Sequence, residues 1–503
     1  MIRLTLGQIA ELVGGRLHGA TGDEVVTGGV EFDSRAIGTG DLFVAMPGER
    51  VDGHDFAPGA VRDGAVGALT AREVNGPDGP VPSVVVDPLG AHETRVMALA
   101  GDTDGSGAAV LGAMAGLAGA VLERLTANGL TVIGVTGSAG KTSTKDLIAH
   151  LLRPLGPTIA PPESFNNELG TPWTVLRATE QTRYLVLELS ARGVGHIAAA
   201  GKWTRPRIGA VLNVGRSHLG EFGSQEQIAV AKGELVEALP TDGVAVLNAD
   251  DRLVSAMRSR TPARVVLFGQ SKAAQVRAEN VVLDETARAS FELHTPAGST
   301  GVTLGLYGAH MVNNALAAAA IALELGADLD SVAKGLSSAV PVSRRRMEVT
   351  TRPDGVTVVN DSYNSSPEAM REALKTLATM GRSGAGRRTW AVLGPMGELG
   401  EDSVAVHDEI GRLVVRLDIG KLLVVGAAAR PIHQGASLEG SWGEESVLVP
   451  DVDAAVALLR DELRPGDVVL VKAAKAARLW RIADALLAAS GDAAPGAPTG
   501  GAA

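Results

Sequence analysis

TVIGVTGSAGKTSTKD, residues 131–146, decides the fold. Val132, Ile133 and Val135 form a β-branched run that enters a loop of Gly137, Ser138, Ala139 and Gly140, and Lys141, Thr142 and Ser143 follow where a helix should begin. Small residues let backbone N–H groups close on a phosphate, and a helix N-terminus adds positive potential. Lys141 supplies a mobile charge for the terminal phosphates and the Thr142 hydroxyl a ligand for magnesium. The usual spacing of such loops wants glycine five residues before Gly140, where this chain has Val135, with Gly134 and Gly137 on either side. A plain strand-to-helix turn needs one or two glycines but no Lys-Thr pair. Glycines at 134, 137 and 140 also do not make the G-x-G-x-x-G fingerprint of dinucleotide binding.

Downstream, the apolar runs 184–190, 207–214, 243–251 and 264–269 alternate with helical segments. Continuous apolar strands separated by helices predict a mostly parallel sheet covered on both faces. Residues 277–303 alternate more strictly and predict an antiparallel extension, followed by an alanine-rich helix in GAHMVNNALAAAAIALELGAD. After the basic hinge PVSRRRMEV, strands and helices alternate again, as in a Rossmann-like doubly wound domain. The expected organisation is α/β in three domains. Residues 1–88 form a small mixed N-terminal domain, 89–130 a linker ending in a helix, 131–340 a central P-loop ATPase-like domain, and 341–490 the C-terminal domain. A low-complexity tail, 491–503, is expected to be disordered.

With 503 residues and 45% hydrophobic content the chain is too long for one core. A net charge of -11 argues against a broad nucleic-acid surface while permitting a local phosphate pocket. The absence of cysteine excludes disulfides, thiolate metal sites and a cysteine nucleophile, so any metal must sit on oxygen or imidazole. The first residues lack a signal-peptide core, and the apolar run 112–121 is too short to span a bilayer, so a cytoplasmic protein with no membrane insertion is expected.

A P-loop enzyme needs an acid for its metal, and the strand YLVLELS carries Glu188 where such sheets place one. The next strand leads into NVGRSHLGEFGS, where His218 stands on the same sheet edge as a further magnesium ligand. Lys232, read from spacing alone, is a surface lysine on an amphipathic helix, and Asn313 and Asn314 are decoration on the alanine-rich helix. In the N-terminal stretch, Asp33, Ser34, Arg35, Asp41, Asp52, His54 and Asp55 are dense enough to suggest ligand binding, although each alone reads as a turn, cap or surface residue.

VTGSAGKTSTKD, FNNELGTPWTVL, LELSARGVGHI, NVGRSHLGEFGS, AKGEL, LNADD, SRRRMEV, NDSYNSSPEAM and VLGPMGELGEDSVAVHDEIG, in this order, resemble the Mur ligases of peptidoglycan synthesis over nearly the whole chain. DSR with GDLFVAMPGERVDGHDF is similar to the uridine-nucleotide domain of the two later ligases. NDSYNSSPEAM with GPMGELGE is similar to the last of them, which joins D-alanyl-D-alanine to UDP-N-acetylmuramoyl-tripeptide. The resemblance implies an ATP-dependent ligase, monomeric, acting through an acyl phosphate with two magnesium ions. Thr142, Glu188, His218 and a carbamylated Lys232 would be the metal ligands, and Lys141, His218 and Lys232 the catalytic centre. It also implies nucleotide contacts from Asn314, Arg346 and Asp361. UDP-peptide contacts would come from Ser34, Arg35, Asn166, Asn167 and Thr171, and dipeptide contacts from Tyr363, Asn364 and Pro367. Met311, and KAAKAAR in place of a KGSR-like motif, depart from the family pattern; residues 91–107 are longer than its linker. The alternatives are the preceding ligase, which adds diaminopimelate or lysine, and a P-loop nucleotide switch that ligates nothing.

Overall fold

The computed structural model describes residues 1–48, 51–90, 99, 101–215, 219–382, 386–440 and 445–488, so the tail and most of the long segment after residue 90 lie outside the described residues. Three α/β units follow one another, each around its own sheet. The first sheet runs Arg16–His18, Ser83–Val85, Gly67–Thr70, Leu42–Val44, Val30–Glu31, parallel except at its first pair. Helix Leu6–Val13 packs on it, opened by a capping box between Thr5 and Gln8 and closed at Gly14 with φ +67°.

The polar residues that suggested a ligand site in this unit also hold its loops together. Asp33 accepts from the Arg35 N–H and pairs with its guanidinium, and Asp41 ties down the N–H groups of Gly29 and Gly38 at 2.6 and 2.7 Å. His54 is a correction to the surface reading. It is buried, its Nδ1 lies 2.6 Å from Asp52 Oδ1, and its Nε2 accepts the Ala71 N–H at 2.8 Å. Short turns between strands leave backbone N–H groups that need acceptors, and carboxylates and imidazole supply them.

Helix Ser106–Ala127 joins the first unit to the second. It is apolar almost all round, and its length and composition would let it cross a membrane, which the shorter run 112–121 had not suggested. Its Val110, Met114, Leu117, Val121 and Leu125 are buried in one core with Leu6 and Ile9 of the first unit and with Val175, Ile197 and Leu235 of the second. Being enclosed on several sides removes the need for a polar face.

The central sheet has nine strands in the order Thr158–Ile159, Tyr184–Glu188, Thr131–Thr136, Ile208–Val211, Val244–Asn248, Arg264–Gly269, Val276–Leu283, Arg288–Thr295, Gly298–Tyr307. Pairing is parallel as far as Val276–Leu283, then antiparallel through the last two strands, as the alternation predicts. Successive residues of Thr131–Thr136 serve opposite faces: Val132 joins the core with helix Gln225–Glu237, while Ile133 and Val135 pack with helices Lys141–Leu152 and Met311–Glu324. Each such buried aliphatic side chain contributes roughly 1.5–3 kcal/mol.

The third sheet runs Glu348–Thr351, Thr357–Asn360, Val468–Lys472, Thr389–Leu393, Lys421–Val425, Ser446–Val449, antiparallel only at the first pair. The carboxyl ends of the second and third sheets face a common cleft of about 1420 Å³, larger than a single small ligand requires.

Candidate active site

Thr131–Thr136 ends in the loop 137–140, and helix Lys141–Leu152 starts at Lys141. Gly140 has φ +82°, and a Cβ there would lie 2.5 Å from Asn314 Oδ1, so a side chain here would strain the backbone and displace the Asn314 amide. Asn213, at the end of the neighbouring strand, clamps the loop. Its Oδ1 accepts the Ala139 N–H at 2.9 Å, its Nδ2 donates to Ala139 O at 3.0 Å, and its own carbonyl accepts the Ser138 N–H at 3.1 Å. Ser138 Oγ accepts the Gly215 N–H at 2.9 Å, and Ser143 lines the cleft.

Lys141 Nζ donates to Gly137 O at 2.7 Å. Burial lowers its pKa, as does the neighbouring charge of Arg346, against the pull of Glu188. Glu188, buried at the end of its strand, accepts from the Thr142 hydroxyl at 3.0 Å, from Ser164 Oγ at 3.0 Å and from Asn166 Nδ2 at 2.6 Å. Arg346 arrives from the linker to the third unit: its Nη2 donates to Thr142 Oγ1 at 3.2 Å and its guanidinium lies 4.2 Å over the Tyr363 ring. Lys475 approaches the same ring at 5.7 Å, and burial raises the Tyr363 pKa.

Lys232 is buried, not on the surface as spacing alone suggests. Burial and then the like charge of Lys141 push its pKa well below the ordinary lysine value. The third turn of helix Gln225–Glu237 faces inward, which a weakly amphipathic sequence does not reveal. His218 lies outside the described residues.

Asn167 lines the cleft and its Oδ1 caps the Gly170 N–H at 2.8 Å, while Thr171 is buried in the following helix and does not line it. Ser34 and Arg35 stand in a turn of the first unit, also outside the cleft lining. Asn314 is buried beside Gly140, with its Nδ2 3.4 Å from Met311 Sδ. Asp361 lines the cleft but is already paired: Lys472 Nζ lies 2.5 Å from its Oδ2 and also donates to Asn364 O at 3.2 Å. Pro367 opens helix Pro367–Arg382 at the rim. Among the described residues the buried atoms His310 Nδ1, Asn313 Oδ1, Arg346 Nε and Ser365 Oγ have no hydrogen-bond partner. All four residues line the cleft, whose wall therefore presents polar groups to an occupant.

Comparison with known proteins matches residues 27–95 to "Mur ligase family, catalytic domain", 135–322 to "Mur ligase middle domain" and 345–475 to "Mur ligase, glutamate ligase domain". A Mycobacterium tuberculosis protein is 55% identical over 97% of this chain and 98% of its own length. The chain belongs to the Mur ligase family. That relative is named UDP-N-acetylmuramoyl-tripeptide--D-alanyl-D-alanine ligase, as is an Escherichia coli relative 32% identical over 97% of this chain and 99% of its own. Among solved structures, MurF from Acinetobacter baumannii matches this Mur ligase with a TM-score of 0.80 and 28% identity, over 97% of this chain and 99% of that one. MurF ligase from Thermotoga maritima in complex with ADP matches with a TM-score of 0.73 and 28% identity, over 92% and 98%.

Sequence reasoning missed several residues of this Mur ligase's cleft. Asn213 acts through backbone contacts, for which NVG carries no signal beyond its place after a strand. Ser164 precedes the noted Asn166 by two residues and shares its target, Glu188. Arg192 and Glu398 face each other across the cleft at 3.4 Å, and Arg345 lies 4.3 Å over Trp480.

Proposed function

We propose that this Mur ligase adds D-alanyl-D-alanine to UDP-N-acetylmuramoyl-tripeptide at the expense of ATP, giving the pentapeptide precursor of peptidoglycan. The observation that carries this reading is end-to-end likeness: relatives of that name, 55% identical, span 97% of the chain, first sheet and third unit included. The preceding ligase of the series is disfavoured by the same observation.

The tripeptide's terminal carboxylate attacks the γ-phosphorus of ATP, ADP leaves, and an acyl phosphate results. The D-alanyl-D-alanine amine then adds to the acyl carbon, loses a proton, and the tetrahedral intermediate expels inorganic phosphate. Two anions must approach each other in the first step, so cations and positioning dominate the barrier. Lys141 lies at the phosphate loop and Arg346 reaches Thr142 from the linker to the third unit, so nucleotide bound between the units meets both cations. Asn166, Asn167 and Thr171 belong to the stretch facing the UDP-peptide, Ser34 and Arg35 lie nearer its uridine end, and Tyr363 and Asn364 lie on the dipeptide side.

Magnesium fits the donor set: the Thr142 hydroxyl and the Glu188 carboxylate are hard oxygen ligands already 3.0 Å apart. Among the described residues no three His, Asp or Glu side chains converge, so a second ion would rely on His218 and on Lys232 as its carbamate. When bound, the ions neutralise charge on the transferring phosphate. Lys232 suits carbamylation because only the neutral amine adds to carbon dioxide, and its burial favours that form. The protein acts in this reading as a cytoplasmic monomer.

Phosphate release from ATP is expected only with UDP-tripeptide and D-alanyl-D-alanine both present. Release with a single amino acid as acceptor, or with none, sinks the assignment. Lys232→Ala is expected to lose on the order of 10²-fold in kcat, with part of it restored by added short carboxylic acids. No restoration, together with a density map showing a bare amine in the wild type, removes the carbamate.

A further inference from the structure

Lys145 lies one turn beyond Lys141 on the phosphate-loop helix, is 1% exposed, and does not line the cleft. Its ammonium pairs with Asp146 Oδ1 at 2.6 Å and donates to Pro161 O at 2.8 Å, to Glu163 O at 3.0 Å and, more weakly, to Ser343 Oγ at 3.4 Å. Two remote segments thus meet on one nitrogen. The first carries Ser164 and Asn166 to Glu188, and the second, the linker between the second and third units, carries Arg346 to Thr142. Both are pinned again close by: Asp146 Oδ2 accepts the Ser343 N–H at 3.2 Å, and Glu163 Oε1 accepts the Arg344 N–H at 3.3 Å.

The backbone at this node is strained. Glu163, Arg345 and Met347 have φ of +51°, +61° and +50°. Left-handed backbone at a non-glycine residue is costly and persists where the surroundings over-determine it. A buried ion pair adds little net stability compared with an apolar side chain of the same length, so stability gives little reason for an ammonium here. Geometry gives one: three N–H donors converge on carbonyls and a hydroxyl that no aliphatic chain could hold.

We propose that Lys145 is a positioning residue for phosphoryl transfer, setting from behind the cleft wall both Arg346 against Thr142 and the Ser164–Asn166 pair against Glu188. The proposal rests on the ligase reading above and extends it to a residue that touches no substrate.

The test uses the full-length enzyme as wild type, Lys145→Met and Ser343→Ala. Measurements are kcat and KM for ATP, affinity for UDP-tripeptide and for ADP by calorimetry, and thermal melts. A misplacement on the order of 1 Å costs about 10²-fold. Lys145→Met is therefore expected to lose about 30- to 100-fold in kcat and about tenfold in ADP affinity, with UDP-tripeptide affinity within about twofold of wild type. Ser343→Ala, which removes one contact and no charge, is expected to lose about threefold in kcat. A lowered melting temperature with wild-type kcat and ADP affinity, measured where the variant is folded, overturns the proposal. If Lys145→Met does not fold, unchanged kcat and ADP affinity in Ser343→Ala overturn it. Failure of the wild type to ligate overturns the ligase reading instead, and the ADP affinities then decide on Lys145 alone.

Discussion

Lys141→Ala is expected to lower acyl-phosphate formation by at least about 10³-fold while leaving UDP-tripeptide affinity within about threefold of wild type. The residue stands at the first position of its helix, where backbone N–H groups and the helix dipole already favour phosphate, so ATP should still bind. What is lost is the movable charge that follows the γ-phosphate oxygens as they leave ADP, an interaction stronger in the transition state than before it. Arg346 cannot replace it, being held by Thr142 and stacked on Tyr363. A second effect works in the same direction. Lys141 is a like-charged neighbour that lowers the Lys232 pKa, so its removal makes the Lys232 amine more basic and less available to carbon dioxide. Single-turnover trapping of the acyl phosphate measures the first effect and calorimetry the second half of the prediction. Normal turnover would mean that the phosphate site lies elsewhere.

Asp361→Ala is expected to destabilise the third unit by about 3–5 kcal/mol. Lys472 is fully buried, and burial already lowers its pKa against the pull of Asp361, so losing the carboxylate leaves a charge with carbonyls only. Asp361 Oδ1 also accepts the Met347 N–H at 3.2 Å, so the linker loses an anchor at a residue with φ +50°. For a unit of this size the loss corresponds to a melting temperature lower by about 10 °C. Pairing it with Lys472→Met, which removes the stranded ammonium, should recover most of that. A drop under about 1 kcal/mol for Asp361→Ala would show that the pair is not buried as described.

The phosphate loop, its helix, the acid on the adjacent strand and the antiparallel extension were legible because each is a local pattern: small residues before Lys-Thr, a polar residue ending an apolar run, alternation of period two. Lys145, Asn213 and the burial of Lys232 were not, because a lysine or asparagine on a helix or loop reads the same whether its neighbours in space are water or carbonyls. In the first unit the polar residues were visible, but the backbone contacts they make were not. Asp41 and His54 bind the backbone N–H groups of Gly29 and Ala71, well separated from them in sequence, and a sequence does not say whether a polar side chain faces its own chain or a ligand. The first unit's link to the second, through Phe32 against Phe165 and Trp173 at 6.3 and 5.8 Å, was likewise hidden, since aromatic rings distant in sequence announce no partner.

Helix Ser106–Ala127 bears on how the chain is made. Its neighbours include helices Leu6–Val13, Gly170–Val175 and His196–Thr204, so the last of them is synthesised well after it. During translation at roughly 5–20 residues per second, a greasy cylinder therefore waits for some seconds without its full cover. Fragments truncated before residue 204 should collect in inclusion bodies, and the first unit should resist isolation unless that helix is cut away with the rest.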